Sequence, residues 1–188
     1  MLMMLLGLVV FIGIHVVASL RGLRAQLIAS VGEGAYKGFF SLLAASGLLL
    51  TVYGFVLWRA SGSAHIWTPP LGLRHVTLLL MLLASIAAVA AYVPSHLRTW
   101  LKHPLLVAVK TWAFAHLLAN GDAASMVLFG AVLAWAVYDR IALKRRGAPV
   151  PPAPAGWVGD ALAVGGGVVL YALLAFVFHP HVIGVPVM

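Results

Sequence analysis

Residues Pro104–Gly147 read PLLVAVKTWAFAHLLANGDAASMVLFGAVLAWAVYDRIALKRRG. An apolar run reaches Ala119, Asn120-Gly121-Asp122 makes a tight turn, a second apolar run reaches Leu143, and a basic cluster follows. Asp122 stands where an N-cap is expected, one residue before the second run. A membrane-crossing helix needs about 20 apolar residues at about 1.5 Å rise each. The second run meets that length; the first is short and carries Lys110 and His116. Outward from this hairpin the pattern repeats at Met1–Leu20, Gly38–Trp58, His75–Val93 (closed by Pro94) and Ala161–Phe178, where His179-Pro180 is expected to stop the helix. Met1–Leu20 has no basic leader and no good A-x-A site before Arg21, so it reads as a retained anchor. Gly147–Gly156 (GAPVPPAPAG) is too rich in proline for a helix and reads as an extended cytoplasmic linker.

Composition agrees with these runs. Of 188 residues, 63% are apolar and only 9% charged, with a mean hydropathy of +1.07. A water-soluble fold would have nowhere to bury that surface, and a disordered chain would not carry it. The expectation is an all-α, polytopic bundle of about six transmembrane helices forming one domain over residues 1–188. Twelve Lys and Arg face four acids, for a net charge of +8. The bases sit mainly in loops, so they speak for membrane orientation and not for nucleic acid. The chain has no cysteine. Disulfides, thiolate metal sites, iron–sulfur clusters and covalent haem attachment are therefore excluded, and any metal depends on the eight histidines.

The loop bases set an orientation. Arg21, Arg24, Lys37, Arg98, Lys102, Arg140, Lys144, Arg145 and Arg146 fall on one side, against Arg59 and Arg74 on the other. By the positive-inside rule both termini lie outside the cytoplasm. His15 and His116 then sit inside apolar runs, where an imidazole is costly unless paired or coordinating. His75 and His103 open helices. His96, His179 and His181 read as interfacial residues, and His65 as a loop residue. Lys110 follows His103 by seven residues, on the same helix face to within about 20°. No carboxylate is expected at its depth, so it snorkels, is neutral, or meets an anion such as a haem propionate or lipid phosphate. The triplet Gly165-Gly166-Gly167 lies in a span without lysine and suits close helix packing, not phosphate binding. No hydrolase motif or paired carboxylate is present.

Four stretches together carry a family resemblance: FIGIHVVASLRGLRAQL (Phe11–Leu27), GEGAYKGFFSLLAASG (Gly32–Gly47), LKHPLLVAVKTWAFAHLLANGD (Leu101–Asp122) and WAVYDRIALKRRG (Trp135–Gly147). In order and spacing the chain resembles the NnrU family. That resemblance implies a bacterial inner-membrane protein associated with nitrite and nitric oxide reduction. The same domain occurs in 15-cis-zeta-carotene isomerase, which holds haem b through two histidines. Carried over by motif, these fall on His15 in GIHVV and His116 in FAHLLANGD. This chain departs in having no cysteine near His116 and in placing Lys110 where an uncharged polar residue is usual. A similarity to isoprenylcysteine-type methyltransferases, through the His103-Pro104 opening, lacks their downstream acidic and basic signature.

The resemblance thus implies a non-covalent haem b between the first and fourth spans, with His15 and His116 as axial ligands. Lys110, Arg21 and Arg24 are candidate propionate partners. Straight helices would leave the depths of His15 and His116 roughly 15 Å apart. The pairs His15 with His103, and His116 with His75, therefore remain open alternatives. The functional expectation is a redox-active haem protein with an electron-transfer partner. The alternatives are a haem-dependent cis–trans isomerase of a carotenoid-like polyene, and a cofactor-free accessory protein of a respiratory complex.

Overall fold

The computed structural model describes every residue except Pro186 and Met188. The described residues form eight α-helices: α1 (Leu2–Ser19), α2 (Arg21–Val31), α3 (Glu33–Ala60), α4 (Leu71–Ala90), α5 (His96–Leu101), α6 (Pro104–Ala119), α7 (Ala123–Arg145) and α8 (Val158–Ala172), with α8 continuing as a π-helix over Leu173–Ile183. Among them no strand forms beyond an isolated bridge between His65 and Asp122. Five helices are long and apolar enough to cross a membrane: α1, α3, α4, α7 and α8 with its π extension. The sixth apolar helix, α6, has 16 residues, about 24 Å at the α-helical rise. Large apolar side chains lie open on their outer faces, among them Val9 at 70% and Leu49 at 69% exposure. Only lipid makes such faces stable, and the chain is a multi-pass membrane protein.

Two compact units divide the chain. One comprises Met1–Thr68 and Asn120–Leu143; the other comprises Pro69–Ala119 and Lys144–Met188. In the first, α1 and α3 pack antiparallel along a seam of small residues. Gly47 lies so close to α1 that a Cβ there would sit 2.7 Å from the Phe11 backbone nitrogen. Gly54 meets the Met4 backbone, and a Cβ on Gly7 would sit 2.8 Å from the Gly47 carbonyl. Thr51, buried in this seam, donates its hydroxyl to the Gly47 carbonyl at 2.7 Å, so no polar group is left facing lipid.

In the second unit α4 is central, packed against both α6 and α8. Thr77 donates across to the Ala115 carbonyl at 3.3 Å. The glycine triplet behaves as its composition predicts. Gly167 abuts the Ile86 backbone and Gly166 the Val89 side chain, while Gly165 faces open space. The short helix α5, not foreseen from the sequence, is held at its start by Asp160. That carboxylate accepts the backbone N–H groups of His96 (3.2 Å) and Leu97 (3.0 Å), and it contacts His96 Nδ1 at 2.7 Å. Residues 146–157 form neither helix nor strand, as the prolines require.

Two sequence expectations need correction. The bases Arg21 and Arg24 belong to a separate helix, α2, not to an open loop. The last span does not stop at Phe178 but runs on through His179 and Pro180 to Ile183. In an α-helix the Pro180 ring would clash with the carbonyl four residues back. The wider π turn makes room for it.

The turn at Asn120-Gly121-Asp122 pairs with the α3 exit loop. Ile66 N–H donates to the Gly121 carbonyl (2.7 Å), Ala123 N–H to the Ala64 carbonyl (2.8 Å) and Ala124 N–H to the Ser63 hydroxyl (2.9 Å). Asp122 caps α7 as expected, accepting from Ser125 N–H at 3.1 Å and from its hydroxyl at 2.6 Å, with Arg59 Nε at 3.8 Å. Partial burial pushes the Asp122 carboxyl up, but the Ser125 hydroxyl and N–H, Arg59 and the Ser63 hydroxyl outweigh it and hold it below the usual carboxylate range. An unfolded aspartate titrates near about 3.9. The stabilisation by ionised Asp122 is therefore complete above that value and is lost as pH falls through the lower folded value. Asp122→Ala should cost about 0.5–2 kcal/mol at neutral pH and should flatten the acid limb of a thermal-stability profile in detergent. An unchanged acid limb would contradict this role.

Candidate functional site: imidazoles within the spans

His15 lies on α1 one turn after Phe11, and its Nδ1 is 2.6 Å from the Phe11 carbonyl oxygen. A carbonyl can only accept, so Nδ1 carries the proton and, in the neutral ring, Nε2 carries the lone pair. Three aromatic rings enclose this imidazole: Phe11 at 4.4 Å, Trp135 at 5.1 Å and Phe40 at 5.2 Å between centroids. The Trp135 indole N–H beside it is buried and donates to nothing among the described residues. The Tyr36 hydroxyl, one helical turn before Phe40, is in the same state, and the Arg24 guanidinium lies 6.0 Å from the Tyr36 ring. Arg21 is exposed.

The second unit repeats the local device. His116 Nδ1 is 2.9 Å from the Trp112 carbonyl, one turn back on α6. His179, on the π-helix, has Nδ1 2.7 Å from the Leu174 carbonyl, five residues back as the wider turn dictates. The rings of His116 and His179 lie with centroids 6.2 Å apart and planes 26° from parallel. Lys110 is half-buried on α6 and makes no hydrogen bond or ion pair among the described residues. His103 precedes α6, its carbonyl accepting Val107 N–H at 3.1 Å, and His75 is exposed near the start of α4.

The residues singled out from the sequence thus fall into two groups, His15, Arg21 and Arg24 in one unit and His75, His103, Lys110 and His116 in the other. Trp135 is among the aromatic residues that the sequence offers as lining for a flat cofactor, whereas sequence reasoning gave no such part to His179, Tyr36 or Asp160. For His179 a signal existed, because a His-Pro pair ending an apolar run without a polar stop is compatible with a continuing helix. His96 is accounted for structurally. Beyond its bond to Asp160 it stacks on Trp157 at 4.2 Å and 28°.

These features suit a haem. Among the described residues no three His, Cys, Asp or Glu side chains gather around one point. A porphyrin would need no such cluster, since it brings four donors of its own and would take only axial nitrogens from the protein. Fixing Nδ1 on a carbonyl orients the ring and makes Nε2 the nitrogen that could bind a metal. The unpaired Trp135 and Tyr36 donors suit acceptor oxygens on a bound group.

Long lipid-facing helices that carry half-buried, orientation-locked imidazoles define a multi-pass α-helical membrane protein without cysteine. Residues 3–187 match the family described as NnrU protein, nearly the whole chain, and the chain belongs to that family. No curated protein and no solved structure matches it. Because the Tyr36 hydroxyl is buried unpaired, Tyr36→Phe should raise the stability of the ligand-free protein by about 1 kcal/mol. A lower melting temperature for this variant would mean that the hydroxyl has a partner in the ligand-free state.

Proposed function

We propose that this chain is a haem b-binding protein of the bacterial inner membrane, with His15 and His116 as axial ligands. One observation carries the reading: each of these in-span imidazoles has its Nδ1–H tied to the carbonyl four residues earlier, the arrangement that presents Nε2 to a metal. Haem supplies one-electron redox chemistry when bound. The protein's share is to fix the imidazoles, to exclude water with Phe11, Phe40 and Trp135, and to offset propionate charge with Lys110, Arg21 or Arg24. The redox role we assign is in nitrite or nitric oxide reduction, with an electron-transfer partner. Detergent-purified protein from cells well supplied with haem should show a Soret band that shifts on reduction. His15→Ala and His116→Ala should each abolish or shift it. A colourless protein would sink the haem reading, and a wild-type spectrum in both variants would sink the ligand assignment.

A second reading, a haem-dependent isomerase of a long polyene, draws on an open groove of about 180 Å³ in the second unit. Its lining is almost wholly apolar, including Met81, Ala84, Leu105, Ala108, Trp112 and Leu174. Its mark would be a product shift when purified protein is mixed with the polyene.

We assign both termini to the periplasmic side, a reading supported by the unequal distribution of the loop bases. Since the chain has no cysteine, single cysteines report side directly. Ser63→Cys should react with an impermeant thiol reagent in intact spheroplasts, and Ala148→Cys only after permeabilisation. The reverse pattern would invert the topology.

A further inference from the structure

We infer that His116 and His179 are two ligands of one metal centre, built within the second unit. The ring spacing is the starting point. At 6.2 Å between centroids the imidazoles are too far apart for ring-on-ring contact, at about 3.5–4 Å. Two imidazoles bonded across one metal at about 2.0–2.1 Å per metal–nitrogen bond put their ring centres roughly 6 Å apart. The observed 6.2 Å, with planes 26° from parallel, has that span.

The second argument is local orientation. Both rings have Nδ1 on a main-chain carbonyl, His116 on Trp112 and His179 on Leu174, so in both the ligating nitrogen is Nε2. For His179 this bond depends on the π-helix, because only a five-residue reach brings Leu174 under the ring. A π-helix is rare and costs regular hydrogen bonding, and its occurrence at a histidine is typical of a functional segment. Trp112 and Leu174, the residues whose carbonyls fix the two rings, also line the apolar groove. The ligand is a borderline metal that accepts imidazole nitrogen, either haem iron or a free divalent ion completed by water. If it is haem iron, the inference rests on the haem reading and puts His179, in place of His15, opposite His116 on the iron.

The test titrates the full chain in detergent with haemin and, separately, with Cu²⁺, followed by absorption and by nitrogen splitting in the Cu²⁺ electron paramagnetic resonance spectrum. The variants are H116A, H179A, H179Q, H15A and, as an exposed control, H181A. H179Q keeps a polar side chain of similar size, and its gel-filtration profile and melting curve establish folding. Loss of at least about tenfold in affinity for one probe in H116A, H179A and H179Q, with H181A unchanged, supports the pair. Wild-type affinity of folded H179Q for both probes overturns it. If H179Q is silent while H15A loses haemin, the haem reading survives and this inference fails. If no haemin binds but Cu²⁺ binding needs both His116 and His179, this inference survives and the haem reading fails.

Discussion

In lipid, two apolar helices gain nothing by hiding their side chains from one another, because the hydrocarbon outside is as apolar as the partner. What holds them is close backbone approach and the dispersion contacts it allows. The α1–α3 seam is built for this: Gly7, Gly47 and Gly54 give up their side chains at the three points where the helices touch most closely. Gly167 does the same against Ile86 in the other unit. Every later feature depends on that approach. His15 sits one turn beyond Phe11, whose backbone Gly47 contacts, so the seam fixes the position of the imidazole as well as the pairing of the helices.

Polar groups inside such seams are tolerated when they find an acceptor, on a neighbouring helix as Thr77 does on Ala115 or, more often here, on their own. Thr51 does so on Gly47, and His15, His116 and His179 do so on Phe11, Trp112 and Leu174. A threonine is finished by that bond, while an imidazole keeps a second nitrogen. The same satisfaction rule that makes a hydroxyl inert in oil leaves a histidine with a lone pair in a fixed direction. The buried indole of Trp135 and hydroxyl of Tyr36 break the rule, and both lie on helices of the unit that holds His15.

Much of this was legible in the sequence. The ends of α6 at Pro104 and Ala119 were read correctly because a His-Pro pair and an Asn-Gly-Asp turn both act through local backbone chemistry. The Asp122 cap was legible for the same reason. The start of α4 was read four residues late, since Leu71-Gly72-Leu73-Arg74 is ordinary loop material until Pro70 gives it a helical start. Helix α2 was hidden because its exposed, mixed composition carries no burial pattern. His179 was assigned to the interface because Pro180 was read as a stop, whereas the chain widens its turn and continues. The α1–α3 glycine seam shows only in three dimensions, its members being scattered over two runs that each look like any apolar span.

The π segment also carries a residue-counting consequence. An α-helix turns by about 100° per residue, and a helix that fits extra residues into each turn changes the face on which everything after it lies. Deleting one residue between Leu173 and Phe178 would leave composition and hydropathy nearly untouched but would take one residue out of the widened turns that accommodate Pro180. It would also swing the imidazole that follows to a different side of the helix. Spacing along this stretch, more than the identity of its apolar members, is therefore what natural variation must preserve.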